Sequence, residues 1–185
     1  VGSEMCIRDR KKSVLLLFFA GCVATGIFGI GRKIPMNRVN DLGQREGYWR
    51  DSVGGGFVYD LYYKGGKKDG LYKRFYRNKL FLFGEYTADN ISGTWYMFGD
   101  EGELRCTIDS IELNKDSIYT GYCRIFCKYK CHSIDYYPSG AVKSEGYMVC
   151  DEEFEIEIWE IGEWKYYDES GNLIKTKDYG DRRTP

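Results

Sequence analysis

Apolar side chains along this chain alternate with polar ones in short runs, and each run begins or ends at a glycine. Trp164 and Tyr166, like Tyr72 and Tyr76, fall at even spacing, while Lys165 and Lys73 occupy the positions between. A period of two places the rings on one side of an extended strand and the lysines on the other. The runs also recur. Gly47-Tyr48-Trp49, Gly70-Leu71-Tyr72, Gly93-Thr94-Trp95 and Gly162-Glu163-Trp164 repeat one phrase, the first three at a spacing of 23 residues. Such a period means a stack of small units rather than one enzyme-like core. Downstream, Phe75 to Leu80 aligns with Phe98 to Leu104, Tyr137 to Val142 and Tyr167 to Leu173.

Each unit thus reads as an aromatic strand, a turn and an aliphatic strand. Asp100-Glu101-Gly102, Pro138-Ser139-Gly140 and Glu169-Ser170-Gly171 put glycine where a short hairpin loop needs a left-handed residue. The expected fold is all-β: an elongated antiparallel meander of repeated β-hairpins, whose aromatic rows stack into a continuous core. The units are Glu46 to Gly66, Gly70 to Tyr86, Gly93 to about Ile108, Ile134 to Tyr147 and Gly162 to Tyr179. Two stretches interrupt them. Asp109 to His132 reads as strands, either an extra hairpin or a degenerate unit. In Asp151 to Ile161, Phe154, Ile156 and Ile158 alternate with Glu153, Glu155 and Glu157, predicting a strand with an acidic outer row.

The repeated phrase, with the closely matching segments Tyr63 to Gly70 and Tyr136 to Gly146, resembles the variant MORN repeat of bacterial antitoxin-like proteins. The resemblance spans about Arg45 to Tyr179 and implies a sheet that binds a partner. Its motif falls on Gly47, Trp49, Gly70, Tyr72, Gly93, Trp95, Tyr136, Tyr137, Gly140, Gly162, Trp164, Tyr166, Tyr167 and Gly171. The fourth unit departs from it, with Ser133-Ile134 where Gly-x-Trp is expected, and the acidic strand lies outside it. Those departures are where a partner site is expected.

Ahead of the repeats the pattern changes. Val1 to Asp9 resembles a translated sequencing-adaptor remnant, so residues 1–10 are set aside from the fold. Lys11-Lys12, the apolar run Val14 to Ala20 and Gly21-Cys22 follow the order of a secretory signal. Phe19-Ala20-Gly21-Cys22 resembles a bacterial lipobox, which implies lipidation of Cys22, a signal over 11–22 and a lipid-anchored protein of the cell envelope. Ordinary cleavage, an uncleaved anchor and a cytoplasmic chain are the other readings. Glycine-rich and basic residues 23–44 read as a tether, 45–180 as the repeat domain and 181–185 as a tail.

From Cys22 onward there are 23 basic residues against 26 acidic, once Arg8, Arg10, Lys11, Lys12, Glu4 and Asp9 are left out. That balance excludes binding to a phosphate backbone, so no nucleic-acid partner is expected. Cys106, Cys123, Cys127, Cys131 and Cys150 are an odd set, open to a disulfide involving Cys106, Cys123 or Cys150 in an oxidising compartment. Cys123, Cys127, Cys131 and His132 invite a metal reading. On one strand, however, the cysteines would share a face yet span too far to close around one ion. No metal and no cofactor are expected.

Glu153, Glu155 and Glu157 are candidates for contact with a partner. His132 is the one histidine, and no nucleophile triad or phosphate loop accompanies it. Tyr48, Trp49, Tyr96 and Trp159 are candidates for an aromatic platform, and an open meander leaves two edges for strand addition or end-to-end self-association. The leading expectation is therefore a non-catalytic envelope lipoprotein that binds a protein or cell-surface partner through a sheet face or edge. The alternative is a cytosolic antitoxin-like inhibitor that binds a toxin protein. A carbohydrate-processing enzyme, the third class, needs a carboxylate pair in a cleft.

Overall fold

The computed structural model describes residues 35–116, 118–119, 124–151 and 158–181, all within one compact unit, Ile34–Pro185. The strands are β1 (Arg38–Val39), β2 (Arg45–Val53), β3 (Phe57–Lys64), β4 (Lys67–Lys68), β5 (Gly70–Tyr76), β6 (Lys79–Thr87) and β7 (Asn90–Phe98). They continue as β8 (Leu104–Leu113), β9 (Ile118–Tyr119), β10 (Arg124–Ile125), β11 (Tyr129–Tyr136), β12 (Val142–Cys150), β13 (Ile158–Tyr167) and β14 (Leu173–Asp178). Twelve strands make one antiparallel sheet in the order β1-β2-β3-β5-β6-β7-β8-β11-β12-β13-β14, with β4 paired to β3; β9 and β10 pair separately. The protein is all-β, an open meander.

Two devices recur along it. The turns after β7, β11 and β13 close through the same bonds: Gly99, Tyr137 and Asp168 donate N–H to Glu103, Ala141 and Asn172, while Gly102, Gly140 and Gly171 donate back. Those three glycines sit at φ 84, 82 and 84°, the left-handed region that a side chain disfavours. These bonds shift the expected alignment by one residue. Tyr136, not Tyr137, stands with Phe98 and Tyr167; Tyr137 takes the place of Gly99 and Asp168.

The second device explains the repeated phrase. Between Phe83↔Tyr96 and Glu85↔Ser92, β6 advances two residues while β7 advances four. Between Glu145↔Lys165 and Tyr147↔Ile161, β12 and β13 do the same. The surplus is Gly93-Thr94 and Gly162-Glu163, with the glycines at φ 66 and 62°. Such a bulge sharpens the local twist and re-aims the next side chain. Trp95 therefore folds over Gly84 and Trp164 over Gly146, so closely that a Cβ on either glycine would lie 2.2 or 2.5 Å from an indole carbon. Tyr72 follows Gly70 in the same phrase, but Leu61, next to the Asp60 that pairs with Lys73, stands in the place of the glycine, and both side chains are buried.

These rings form the expected core. Trp95 is fully buried, 5.4 Å from the Tyr72 ring and 5.3 Å from that of Tyr86. The aromatic row does not run the length of the sheet. Beyond β7 the same core continues through Cys106, Ile108, Cys131, Met148 and Cys150 before reaching Trp164. Tyr129 spans the change, its hydroxyl accepting from Ile91 N–H and donating to Asn90. A smaller cluster of Ile118, Cys127 and Val149, packed with Trp159 and Ile161, occupies the opposite face, because Val149 and Cys150 alternate along β12.

Replacing Gly84 or Gly146 by alanine is expected to destabilise the fold by about 2–3 kcal/mol, because the methyl group must displace an indole held in a closed core. Gly93→Ala meets open space apart from a Glu85 oxygen at 3.8 Å and suffers only the φ penalty, about 1–2 kcal/mol. Urea denaturation of the three variants checks the order.

Candidate functional site

The fourth unit is where the second device fails. Counting back from the matched turns puts Cys131-His132-Ser133 in the places of Gly93-Thr94-Trp95, and the pairings Ile134↔Thr107 and Tyr96↔Phe83 give the same equivalence. Cys131 is not a glycine, and the positive φ moves to the neighbouring strand, where Ser110 adopts 51° at the register shift opposite Cys131. With no bulge to re-aim it, residue 133 stays paired opposite Ile108, which stands where Gly84 and Gly146 stand in their units. Serine and isoleucine thus replace tryptophan and glycine. No indole crosses the sheet face at this point.

A half-open cavity of about 500 Å³ lies there. Ile108, Met148, Met97, Trp164, Ser133 and Cys106 are among the residues that line it. Four return strands, β6, β8, β12 and β14, also carry a single-residue bulge after their aliphatic position: Phe81 after Leu80, Arg105 after Leu104, Lys143 after Val142 and Ile174 after Leu173. Phe81, Arg105 and Lys143 all line the cavity. Asp135 and Glu160 add two carboxylates, with Asp135 accepting a 2.8 Å bond from the Ser144 hydroxyl.

Burial dominates the chemistry of the walls. It pushes the Cys106 thiol from 9.0 up to about 12, helped by the nearby Asp135 charge and opposed by the 3.3 Å contact with the Ser133 hydroxyl. A thiol held that high is not a nucleophilic thiolate at neutral pH. Tyr166 likewise rises from 10.0 to about 12, first from burial, then from its 2.9 Å bond with Tyr179 and from the charges of Glu160 and Asp135. His132 sits outside the cavity lining, 3.4 Å from Asp109 and beside the Tyr147 ring. The arrangement offers shape, apolar contact and fixed charge.

The other sequence candidates are scattered. Gly47, Gly70, Gly93, Gly140, Gly162 and Gly171 all take positive φ. Trp164, Tyr166 and Tyr136 line the cavity, whereas Trp95 and Tyr72 are core and Trp49 packs with Arg45 and Tyr63. Tyr137 and Tyr167 link the last two hairpins, through Tyr137 Oη to the Tyr167 carbonyl and Tyr167 Oη to Glu145. Trp159 belongs to the opposite face, so Tyr48, Trp49, Tyr96 and Trp159 form no common platform. Cys22, Cys123, Glu153, Glu155 and Glu157 lie outside the described residues.

Cys127 and Cys131 do not share a face, since Cys127 joins the smaller cluster and Cys131 the main core. No group of three metal-ligating side chains comes together among the described residues. Cys106, Cys127, Cys131 and Cys150 are all buried, with Cys131 Sγ 3.5 Å from Cys150 Sγ. The bulge residues Phe81, Arg105 and Lys143 went unnoticed in the sequence; their signal was the constant place after the aliphatic residue. Comparison with protein-family models, curated proteins and solved structures finds no match for this chain.

Both raised groups favour the folded state only while protonated. Their contribution is therefore complete below pH 9, where the unfolded Cys106 thiol begins to ionise, and is lost as pH rises through 12. Denaturation midpoints should fall steadily across that window, and Cys106→Ala should make the fall shallower without moving its onset, because the Cys150 thiol is also raised, by its contact with Cys131 and by burial; an unchanged slope would contradict the assignment.

Proposed function

We propose that this chain is a non-catalytic repeat protein, anchored to the cell envelope through Cys22, that seats a protein partner in the cavity of its fourth unit. The observation that carries this reading is the replacement of the repeat's indole by Ser133 beside a half-open space lined largely by apolar side chains. Concave sites with few fixed polar groups are where proteins take ligands and partners. The MORN-like phrase supports a binding role, and the lipobox-like run Phe19 to Cys22 supports the anchor. The Cys106 thiol, held protonated, argues for binding rather than covalent chemistry.

The alternative reading is a cytosolic inhibitor that binds a toxin protein.

Feeding bacteria that express the chain an alkyne fatty acid separates the two readings. Labelling of the membrane fraction that disappears in Cys22→Ser is the expected result, and a soluble, unlabelled protein would leave the cytosolic inhibitor. A photo-crosslinking residue at Tyr136, in the cavity, should capture a partner that one at Glu169, on a hairpin tip, does not. Equal capture from both positions would contradict the cavity as the seat.

A further inference from the structure

We propose that the cavity recognises a peptide segment of its partner in which an aromatic side chain lies between one acidic and one basic side chain. This rests on the reading of the cavity as the partner's seat and adds the chemistry of what sits there.

The aromatic requirement follows from the repeat. In neighbouring units an indole or phenol covers the sheet face at the position that Ser133 holds here; Ile108, Met148 and Trp164 are already buried beneath it, and the apolar surfaces left open to a ring are those of Phe81, Met97, Tyr136, Ile158 and Tyr166. Thioether sulfur and a ring edge are favourable neighbours for a second ring. A volume of about 500 Å³ suits one large side chain with its flanking backbone, within the roughly 300–1,000 Å³ of small-ligand sites. Buried aromatic anchors of this kind dominate protein interfaces.

The charge requirement follows from the rim. Arg105 on β8, Asp135 on β11, Lys143 on β12 and Glu160 on β13 alternate in sign across four adjacent strands. Among the described residues none of the four is ion-paired within 4.0 Å, although all border one cavity. A ligand of single charge would be repelled by half of this rim for every attraction it gained. A dipolar ligand is attracted at both ends, and opposed charges over a low-dielectric floor give selectivity of this kind.

Titration calorimetry on the full chain tests this with blocked peptides: acetyl-Glu-Trp-Lys-amide and its reverse acetyl-Lys-Trp-Glu-amide, against acetyl-Gln-Trp-Gln-amide and acetyl-Glu-Ala-Lys-amide. At least one dipolar tryptophan peptide should bind about tenfold more tightly than either control, with the advantage shrinking at high salt. The Cys131→Gly/Ser133→Trp/Ile108→Gly chain, which restores the left-handed glycine, the ring and the glycine beneath it, should lose that binding. Arg105→Gln/Lys143→Gln, altering two exposed side chains, should erase the preference for the charged peptide while leaving the fold intact. Equal affinity for the neutral peptide, absence of binding by both dipolar peptides, or binding retained in the filled chain would overturn the inference. If neither peptide binds while filling the cavity still abolishes crosslinking from Tyr136, the seat stands and only this recognition chemistry fails.

Discussion

The sheet depends on a ring lying flat over a glycine. A single-layer meander has no second layer to cover its apolar face, so each unit must supply its own cover. The bulge at Gly93 or Gly162 provides it, turning the following tryptophan across the preceding strand, where Gly84 or Gly146 leaves room. An indole of about 200 Å² removed from water contributes on the order of 5 kcal/mol before conformational entropy is counted. Bulge, ring and opposing glycine are one device. Altering any one of them changes what the other two do.

The cavity follows from the same constraint by omission. Once Cys131 stands where the left-handed glycine should be, the surplus residues are gone, the strand pairs regularly through Ser133, and Ile108 replaces the glycine beneath. The core adapts by using sulfur and branched aliphatic side chains, which fill the space next to the strand but do not reach across the face. A second series of bulges, independent of the first, then brings Phe81, Arg105 and Lys143 around the gap. The site is thus a gap in one periodic pattern bordered by the side chains of another.

Much of this was legible in the chain itself. The period of 23 residues, the alternating rings and the turn glycines led directly to an antiparallel meander of hairpins, and Ser133-Ile134 stood out as a departure, although the residues in the place of Gly-x-Trp are Cys131-His132-Ser133. What the repeated phrase did not disclose was its mechanism, because register is a relation between strands: Gly84 and Gly146 gain meaning only when Trp95 and Trp164 are seen above them. The return-strand bulges were hidden for a similar reason. Phe81, Arg105 and Lys143 share no side-chain character, only a place. The Tyr136 and Tyr137 alignment slipped by one residue because adjacent tyrosines gave the pattern two equal choices, and the turn hydrogen bonds chose the first.

A double-mutant cycle at Trp95 and Gly84, where bulge, ring and glycine are all present, tests the central claim most directly. Stability would be measured by denaturant unfolding for Trp95→Val, Gly84→Ala and the pair together. A ring-over-glycine unit predicts that each single change destabilises, the first by loss of core and the second by crowding, and that the double variant recovers at least about 1 kcal/mol relative to their sum. Strictly additive effects would mean that the indole and the glycine beneath it do not act as a unit, and the account of both the fold and its cavity would be wrong.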